Sequence, residues 1–516
     1  AGCSFVGTSR AGMQWLLLVV SLVPSASELV RVIVVARHGN RAPNPQVPQV
    51  CPKVMPLAEQ FHLPIYSKQR AALSDVGVCE NWESGNFLRE EYKQQLYGSK
   101  DKMYKDDGSF FAFSERMNRN VMSMESLLEG FWPEGTGEKQ FLPSRPNLVP
   151  FLTSAAFHDT LINTPRDGPC KDRYKADTDA WVKKNSKTVM EKNKVLIEKF
   201  GKACGFDFFS SEETIKKPFP WAIKAAADAF NMALNEGIDV GKDFDLDMVK
   251  ETISMASAVT NEVRFGEKHK VTYWLGRFVK DALFANMEDP AGKKKQTLET
   301  VGQALKSKFP WQPSPDEEWD ALKMLVFLNH RELMMSLSFL FGYDSLLKTP
   351  LKAGSMIIYE LHKEEGEEFI ITKAWNPTQP SFEAKHAALE AGSGLLELYS
   401  RGTVEIVKTG ACDYQERCTL QQLRDAYTKW TEETGSWEEV CGLEIREERD
   451  ENEREDDDES YTAASDAATL ALAHASEPSI VVVTGSVSLS LLFGSMAFAI
   501  VVSFLGGIYF GRRFLH

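Results

Sequence analysis

The 516-residue sequence contains no CxxC pair and no His/Cys spacing typical of a structural zinc site. It also has no internal repeat, and no N-x-S/T sequon has a permitted middle residue, so N-glycosylation is not expected. Acidic residues outnumber basic ones, 73 Asp and Glu against 59 Lys and Arg, so the formal net charge is -14 at pH 7. This balance argues against nucleic acid as the main partner.

The negative charge is concentrated near the C-terminus. Residues 444–459 hold 11 acidic residues against 3 arginines, which is more than half of the net charge. The acidic run leads into an Ala/Ser-rich stretch with almost no aromatic residues, which cannot bury enough apolar surface to fold. We therefore predict a flexible stalk over residues 444–479 and a globular part that is only mildly acidic.

A targeting segment is predicted near the N-terminus. Met13 begins the stretch MQWLLLVVSLVPSAS, in which an apolar core over residues 15–23 precedes small residues at positions 25–27. This core is too short to span a bilayer and has the pattern of a signal peptide. We assign residues 1–27 to upstream sequence and signal peptide, and a buried helix is the alternative.

A membrane span is predicted near the C-terminus. Residues 480–510 contain no charged side chain, and a bilayer core needs roughly 20 apolar residues. Arg512 and Arg513 follow, as expected on the cytoplasmic side. We predict a transmembrane helix over residues 480–511, a tail at 512–516, and type I topology with a lumenal or extracellular body. A GPI signal is the alternative.

Cysteine usage fits an oxidising compartment. Cys3 precedes the predicted signal peptide, so seven cysteines remain and at least one is unpaired if the others form disulfides. Cys412 and Cys418 are close enough in sequence to bridge a local loop. The others are Cys51, Cys79, Cys170, Cys204 and Cys441.

Strand patterns occur early and late in the chain. Leu29 to Ala36 is a short valine-rich run, typical of a strand buried on both faces of a parallel sheet. Residues 323–330 predict a second buried strand, and residues 355–376 alternate on both sides of a Glu-Gly turn, which indicates a hairpin. Residues 109–133 read as a strand that leads into a helix.

Helical patterns dominate the middle of the chain, as in WAIKAAADAFNMALNEG (221–237) with its C-terminal glycine. The predicted fold class is α/β: a mostly parallel central sheet flanked by helices, with an inserted α-helical domain. We assign residues 28–176 and 320–443 to the α/β core and residues 177–319 to the insertion.

The segment RHGNRAP (37–43) directly follows the first predicted strand. Ligands of open sheets bind beyond the C-terminal ends of parallel strands. Arg37 and Arg41 can converge on one phosphate group, which guanidinium groups bind through paired hydrogen bonds. His38 can attack phosphorus, because imidazole is a competent nucleophile near neutral pH. Gly39 lets backbone N–H groups approach the anion. The alternative is an exposed loop with solvated arginines.

RHGNRAP fits the R-H-G-x-R-x-P signature of the histidine acid phosphatases, a branch of the histidine phosphatase superfamily. The resemblance runs from about residue 29 to residue 441 and includes residues 73–92, 118–133 and 217–230. With its signal peptide and single span, the chain resembles the membrane-bound, lysosomal-type members. The resemblance implies a phosphohistidine on His38, a phosphate clamp of Arg37 and Arg41, and no metal or cofactor.

This family also has a histidine and an acid after a later strand, and two segments compete for that role. FHDTL (157–161) contains His158 and Asp159, but no strand end is evident there, so we place it outside the site. In MLVFLNHRELMMSL (324–337), His330 ends a buried strand and opens a helix. A His-x-Glu version occurs in the related inositol-polyphosphate phosphatases, where the glutamate donates the proton.

By that resemblance His330 donates a hydrogen bond to the phosphate and Glu332 is the general acid. The alternative for Glu332 is an N-terminal helix residue favoured by the helix dipole. Arg331 either adds a phosphate contact or points to solvent.

The family's third phosphate-binding arginine is the clearest departure. Alignment of NRNVMS with the family stretch puts Phe113 where that arginine is expected. Arg116, three residues later, is our candidate substitute if the local backbone differs, whereas Arg119 matches another family position and is assigned a structural role. Loss of one clamp would weaken transition-state stabilisation by about 3 kcal/mol.

Two functions follow. The first is a membrane-anchored acid phosphatase that hydrolyses small phosphomonoesters. The second is a catalytically weakened or inactive binding protein on the same scaffold. A receptor that signals through its five-residue tail is a weaker third alternative. A homodimer is left open, and the natural substrate is not identified.

Overall fold

The computed structural model describes residues 27–443, apart from 45–46, 55–70, 102–103, 106, 134–148, 154–159, 163–164, 211–218, 241–242, 288–321, 350, 379, 392–397 and 399. The predicted signal peptide, stalk, transmembrane segment and tail lie outside the described residues. Among the residues that are described, no helix is long and apolar enough to cross a membrane.

The centre of the molecule is a seven-stranded sheet in the order β2-β3-β1-β4-β5-β6, with β7 paired to β5. Its strands are β1 (Glu28–Arg37), β2 (Phe110–Ser114), β3 (Met324–Asn329), β4 (Met356–Glu364), β5 (Glu367–Thr378), β6 (Ser400–Ile406) and β7 (Arg417–Cys418). The central position of β3 between β1 and β2 places a late segment of the chain beside two early ones.

The sheet is mixed, so the prediction of a mostly parallel sheet is wrong. β3 pairs parallel with both β1 and β2, but β1–β4, β4–β5, β5–β6 and β5–β7 are antiparallel. The β4–β5 hairpin, which was itself predicted, accounts for one of these antiparallel pairs. Its two-residue turn, Glu365 and Gly366 at positive φ, forces the strands to run in opposite directions.

The sheet is covered on both faces, as the valine-rich β1 predicted. The side chains of Val32, Val34 and Ala36 belong to one apolar cluster, and those of Ile33 and Val35 belong to the cluster on the opposite face. All five are fully buried. Since successive strand residues point to opposite faces, a continuous apolar run is what a doubly covered strand requires.

The helices of the described residues are α1 (Val47–Val50), α2 (Asp75–Leu88), α3 (Gln94–Tyr97), α4 (Asn118–Phe131), α5 (Lys171–Lys192), α6 (Lys194–Cys204), α7 (Trp221–Glu236), α8 (Leu246–Phe265), α9 (Lys268–Leu275), α10 (Ala285–Met287), α11 (Arg331–Phe341), α12 (Asp344–Lys348), α13 (Phe382–Ala391), α14 (Leu420–Thr434) and α15 (Trp437–Cys441). Short 3₁₀ turns lie at Pro52–Val54 and Gly410–Cys412, and π turns lie at Arg89–Lys93 and Phe278–Phe284.

Local sequence accounts for several helix ends. The Ser74 hydroxyl caps α2 by accepting a hydrogen bond from the Gly77 N–H, and Gly237 ends α7 at φ 79°. Helix α8 ends at Gly266 and helix α9 ends at Gly276, so residues 261–287 do not form one continuous helix.

The helical region has a hydrophobic core of its own. Helices α5 to α8 pack around Phe200, Phe230 and Val249, all fully buried, and the 47–54 segment joins them. Residues 265–287, in contrast, contribute Phe278, Leu283 and their neighbours to the core on one face of the sheet. The chain therefore returns to the sheet before the predicted insertion ends.

Among the described residues there are three disulfides, two of which tie segments that are distant in sequence. Cys51 pairs with Cys204, Cys170 with Cys441, and Cys412 with Cys418 as predicted. The Cys51–Cys204 bond connects the segment after RHGNRAP to the helical core. Cys79 is a free, partly buried thiol.

Candidate active site

Three parallel strands deliver polar residues to the same edge of the sheet. β1 ends in register with β3, Arg37 opposite Asn329, and the backbone N–H of His38 donates to the Asn329 carbonyl over 3.1 Å. β2 runs alongside, and the N–H of Glu115 donates to the Leu328 carbonyl over 3.0 Å. The residues that follow the three strands are therefore neighbours, although they lie far apart in sequence.

The structure brings the two predicted histidines together. The ring centroids of His38 and His330 are 5.1 Å apart, with the ring planes at 79°. Both residues are buried: His38 is 8% exposed and His330 is 5% exposed.

His38 is oriented by a local hydrogen bond. Its Nδ1 lies 2.7 Å from the Gly39 carbonyl oxygen, an acceptor, so Nδ1 carries the proton. Burial, followed by the positive charge of Arg119, holds the His38 pKa well below its usual range. A neutral ring protonated on Nδ1 leaves the Nε2 lone pair available for attack.

The turn that carries His38 is packed tightly against helix α2. A Cβ on Gly39 would lie 2.2 Å from the Gly77 carbonyl oxygen, and a Cβ on Gly77 would lie 2.1 Å from that of Asn40. The Asn40 N–H donates to Glu80 over 2.7 Å. Only glycine at position 39 permits this approach, which fixes the backbone of the nucleophile.

Arg37 and Arg41 flank His38, as the motif predicted. The Arg37 Nη1 donates to the Leu351 carbonyl at 2.5 Å, while its buried Nε has no hydrogen-bond partner. Burial is the main cause that lowers the pKa of Arg37 to about 10, and the positive charge of the nearby Arg331 is the second cause. The Arg37 guanidinium therefore stays charged at neutral pH. Arg41 donates to Asn44 Oδ1 at 3.0 Å, and its Nη2 lies 3.9 Å from Asp228 on α7.

The third arginine near the histidines is Arg119 rather than the predicted Arg116. Arg116 pairs with Asp167 at 3.5 Å, with both side chains about 40% exposed. Arg119, in the first turn of α4, lowers the pKa of His38 and of His330, and its buried Nε lacks a partner. Phe113 packs into the core at 3% exposed. The turn from β2 into α4 directs position 116 outward and leaves position 119 beside the histidines.

Glu115 is a site residue that the sequence did not reveal. Its Oε2 lies 3.5 Å from His330 Nε2 and accepts hydrogen bonds from Asn120 Nδ2 at 2.5 Å and the Met117 N–H at 2.9 Å. Although burial opposes ionisation, the hydrogen bond with His330 helps lower the Glu115 pKa to about 2. The signal available in the sequence was an acid directly after a strand, at the same edge as His38.

His330 occupies the N-cap position of the helix that carries Glu332, without a capping hydrogen bond from its side chain. The Asn329 Oδ1 accepts from the His330 N–H at 2.6 Å, and the Asn329 amide donates to the Ile162 carbonyl at 2.6 Å. Burial and then Arg119 lower the His330 pKa, while Glu115 opposes that shift. His158 and Asp159 lie outside the described residues.

Glu332 lies in the first turn of α11 and forms an ion pair with Arg264 of α8. Burial alone would raise its pKa, but Arg264, and after it Arg331, hold that pKa well below the usual range. Arg331 itself donates to Asn261 Oδ1 at 3.0 Å. The side chain predicted to donate a proton is therefore an ionised carboxylate in the free protein.

The site presents charge complementary to a compact anion. The guanidinium groups of Arg37 and Arg119 each have a buried Nε–H without a partner, which is costly unless an acceptor arrives. In the part of the chain that the structure describes, no cluster of three acidic, histidine or cysteine side chains is arranged to hold a metal ion.

Fold and site together define an α/β protein with a strand-end histidine among arginines. Residues 28–219 match the family model of the histidine phosphatase superfamily (branch 2). The resemblance first inferred from RHGNRAP is thereby confirmed. No curated protein matches the sequence.

The chain is similar to solved structures of phytases. The Hafnia alvei phytase in complex with myo-inositol hexakis sulphate is 14% identical, with 81% of this chain and 99% of that one covered and a TM-score of 0.50. The Citrobacter braakii phytase is 14% identical (78% and 98% covered, TM-score 0.48), and the Bifidobacterium longum multiple inositol polyphosphate phosphatase with inositol hexasulfate is 10% identical (77% and 91%, 0.39). The first of these likenesses supports the fold alone.

Proposed function

We propose that this protein hydrolyses phosphate monoesters through a covalent phosphohistidine on His38. One observation carries the proposal: a neutral imidazole with a free Nε2 lies among buried guanidinium groups whose Nε–H donors lack partners. The neutral ring supplies a nucleophile and the arginines supply an anion site.

In the first step, His38 Nε2 attacks phosphorus and the bond from phosphorus to the ester oxygen breaks. Arg37, Arg41 and Arg119 offset the charge on the equatorial phosphoryl oxygens. The leaving oxygen takes a proton from the Glu332 carboxyl group, so Glu332 must gain a proton before this step. A bound phosphate dianion favours that protonation because it competes for the surrounding positive charge.

In the second step, water attacks the phosphohistidine and gives a proton to the Glu332 carboxylate. The P–N bond breaks, which releases inorganic phosphate and restores the neutral His38 ring. The role assigned to His330 is to donate a hydrogen bond to the same phosphoryl group. The products are one alcohol and one phosphate.

The finer identity that we propose is an acid phosphatase anchored in a membrane as a single-pass type I protein. Support for the anchor is the uncharged run at residues 480–510 followed by two arginines. Support for an acidic range is the low pKa of Glu332, which is protonated in quantity only in acid. The substrate is a small phosphomonoester, and myo-inositol phosphates belong in the test panel because of the named fold relatives.

The experiment is to trap the intermediate. The full chain is mixed with ³²P-labelled p-nitrophenyl phosphate near pH 5, quenched in alkali, and digested to locate the label. We expect base-stable, acid-labile phosphate on the peptide that carries His38, and none in His38→Ala. His269→Ala, which alters a half-exposed histidine paired with Asp177, is the matched control and should label normally. Label on another residue, or turnover that survives His38→Ala, contradicts the proposal.

A second function, phosphate-ester binding without turnover, is favoured by the Arg264–Glu332 ion pair. A general acid kept ionised does not protonate an alkoxide leaving group. Isothermal titration with the substrate panel, beside the turnover assay, separates the two. Binding with no product over hours selects the second function.

A further inference from the structure

Arg264 connects the helical region to the predicted proton donor. It lies near the C-terminal end of α8, and its Nη1 donates to Glu332 Oε1 on α11. The Arg264 side chain is 5% exposed and that of Glu332 is 13% exposed, so the pair is largely removed from solvent. Charges so placed interact far more strongly than they do at a surface.

The guanidinium of Arg264 is held in position by aromatic rings. Its Cζ lies 5.7 Å from the ring centroid of Trp221 and 5.5 Å from that of Trp274. The Nε is buried and has no hydrogen-bond partner. Because the two rings fix the plane of the guanidinium group, its positive charge is held beside the Glu332 carboxylate.

Other charges also face Glu332 from the surrounding elements. Asp228 of α7 is a nearby carboxylate, but it acts on Arg264, Arg41 and Lys224. The groups that interact with Glu332 directly are Arg264 from α8, His330 and Arg331 from its own helix end, Arg166 before α5, Arg37 and Arg41 from the turn after β1, and Arg119 from α4. Among these, Arg264 is the ion-pair partner and has the largest effect.

We propose that Arg264 is a positioning residue that confines proton donation by Glu332 to acidic conditions. The inference rests on the proposed function, because it assigns a pH range to the same catalytic step. The carboxylate must take up a proton before it can pass one to the leaving oxygen. A neutral side chain at position 264 removes the main charge that opposes this uptake.

The first experiment compares pH profiles of kcat for Arg264→Gln, Arg264→Lys and the wild type. Two substrates are used: glycerol 2-phosphate, whose alkoxide must be protonated as it leaves, and p-nitrophenyl phosphate, whose phenolate leaves without help. With the alkyl ester, Arg264→Gln should move the alkaline limb upward by about one to two pH units. With p-nitrophenyl phosphate the limb should stay within a few tenths of a unit.

Two controls separate charge at this position from general effects. Arg264→Lys retains the charge and should keep the wild-type limb. Lys250→Gln removes an exposed charge from the same helix, far from Glu332, and should also keep it. If the alkaline limb of the pH profile is unchanged in Arg264→Gln, the inference is overturned. It is also overturned if Lys250→Gln shifts that limb by the same amount.

A second measurement does not depend on turnover. The carboxyl carbon of ¹³C-labelled Glu332 is titrated by NMR in the His38→Ala background, with and without Arg264→Gln. Its midpoint should rise when Arg264 is replaced, and an unchanged midpoint in the folded variant overturns the inference even if Arg264→Gln turns over too slowly to assay. A wild type without phosphatase activity overturns the proposed function together with this inference. An active wild type with an unshifted limb overturns the inference alone.

Discussion

The two halves of the site lie at the same edge of the sheet and have opposite electrostatics. At the end of β1, His38 is neutral and its arginine neighbours retain unused donors. At the end of β3 and β2, the carboxylates Glu332 and Glu115 are ionised and engaged by Arg264 and His330. One half is ready to bind an anion, whereas the other must gain a proton before it can act.

This difference follows from how each half is built. The β1 half comes from seven consecutive residues held by backbone contacts, such as the approach of Gly39 to Gly77. The other half draws side chains from β2, β3 and the helical region. Its protonation state therefore depends on tertiary contacts, and its chemistry responds to pH.

The turn after β1 should be the less tolerant of the two. Gly39→Ala places a methyl group against backbone, so we expect a loss of about 2–3 kcal/mol in unfolding free energy and at least 100-fold in kcat/KM through displacement of His38. Asn329→Ala, its counterpart at the last residue of β3, removes side-chain hydrogen bonds and should cost about 1–2 kcal/mol. Urea unfolding and steady-state kinetics measure both. If Asn329→Ala causes the larger loss of stability and activity, the turn after β1 is not the less tolerant of the two.

Phosphate binding beside His38 is tested by a matched pair of arginines that follow β2. Arg119→Gln removes a buried charge beside His38 and should lower kcat by about 10²–10³, equivalent to about 3–4 kcal/mol of transition-state stabilisation. Arg116→Gln, three residues earlier and paired with Asp167 at the surface, should change kcat less than twofold. Equal effects of the two variants would show that Arg119 has no special role at the phosphate.

The acidic half is tested through stability and pH. The Glu115 pKa is lowered to about 2, so ionised Glu115 stabilises the fold above its ordinary pKa near 4.5, and this contribution is lost as the pH falls toward 2. Glu115→Gln should therefore destabilise the protein by about 1–2 kcal/mol at pH 7, and the difference should shrink below about pH 4.

Chemical unfolding at pH 3, 5 and 7 measures the effect of Glu115→Gln. The control is Glu198→Gln, an exposed position on α6 that should have little effect at any of these pH values. A pH-independent loss for Glu115→Gln would mean that the ionised carboxylate contributes nothing.

Much of the fold was predictable because its signals are local. The apolar run of β1, the buried β3, the hairpin of β4 and β5, and the glycine end of α7 were each readable from a few consecutive residues. The mixed character of the sheet was not predictable, because the residue pattern of β4 does not show that β4 pairs with β1.

The residues of the candidate site also divide into those that local sequence predicted and those that it did not. The structure brings His38, Arg37, Arg41 and His330 together, as the motif and a strand-end histidine predicted. Arg119 was assigned a structural role because the offset between position 116 and position 119 depends on the turn that follows β2. The roles of Glu115 and Arg264 depend on which side chains meet across the fold, and no spacing in the sequence encodes that.

The central place of β3 has a consequence for how the protein is made. β1 pairs with a strand that begins about 290 residues later, and β2 has β3 as its neighbour in the sheet. At a synthesis rate of about 5–20 residues per second, roughly 15–60 s pass between the two strands. During that interval β1 and β2 emerge without the partner that joins them. An N-terminal fragment ending near residue 219 would lack the middle strand of its own sheet, and the nascent chain depends on protection of these apolar segments until residue 329 is complete.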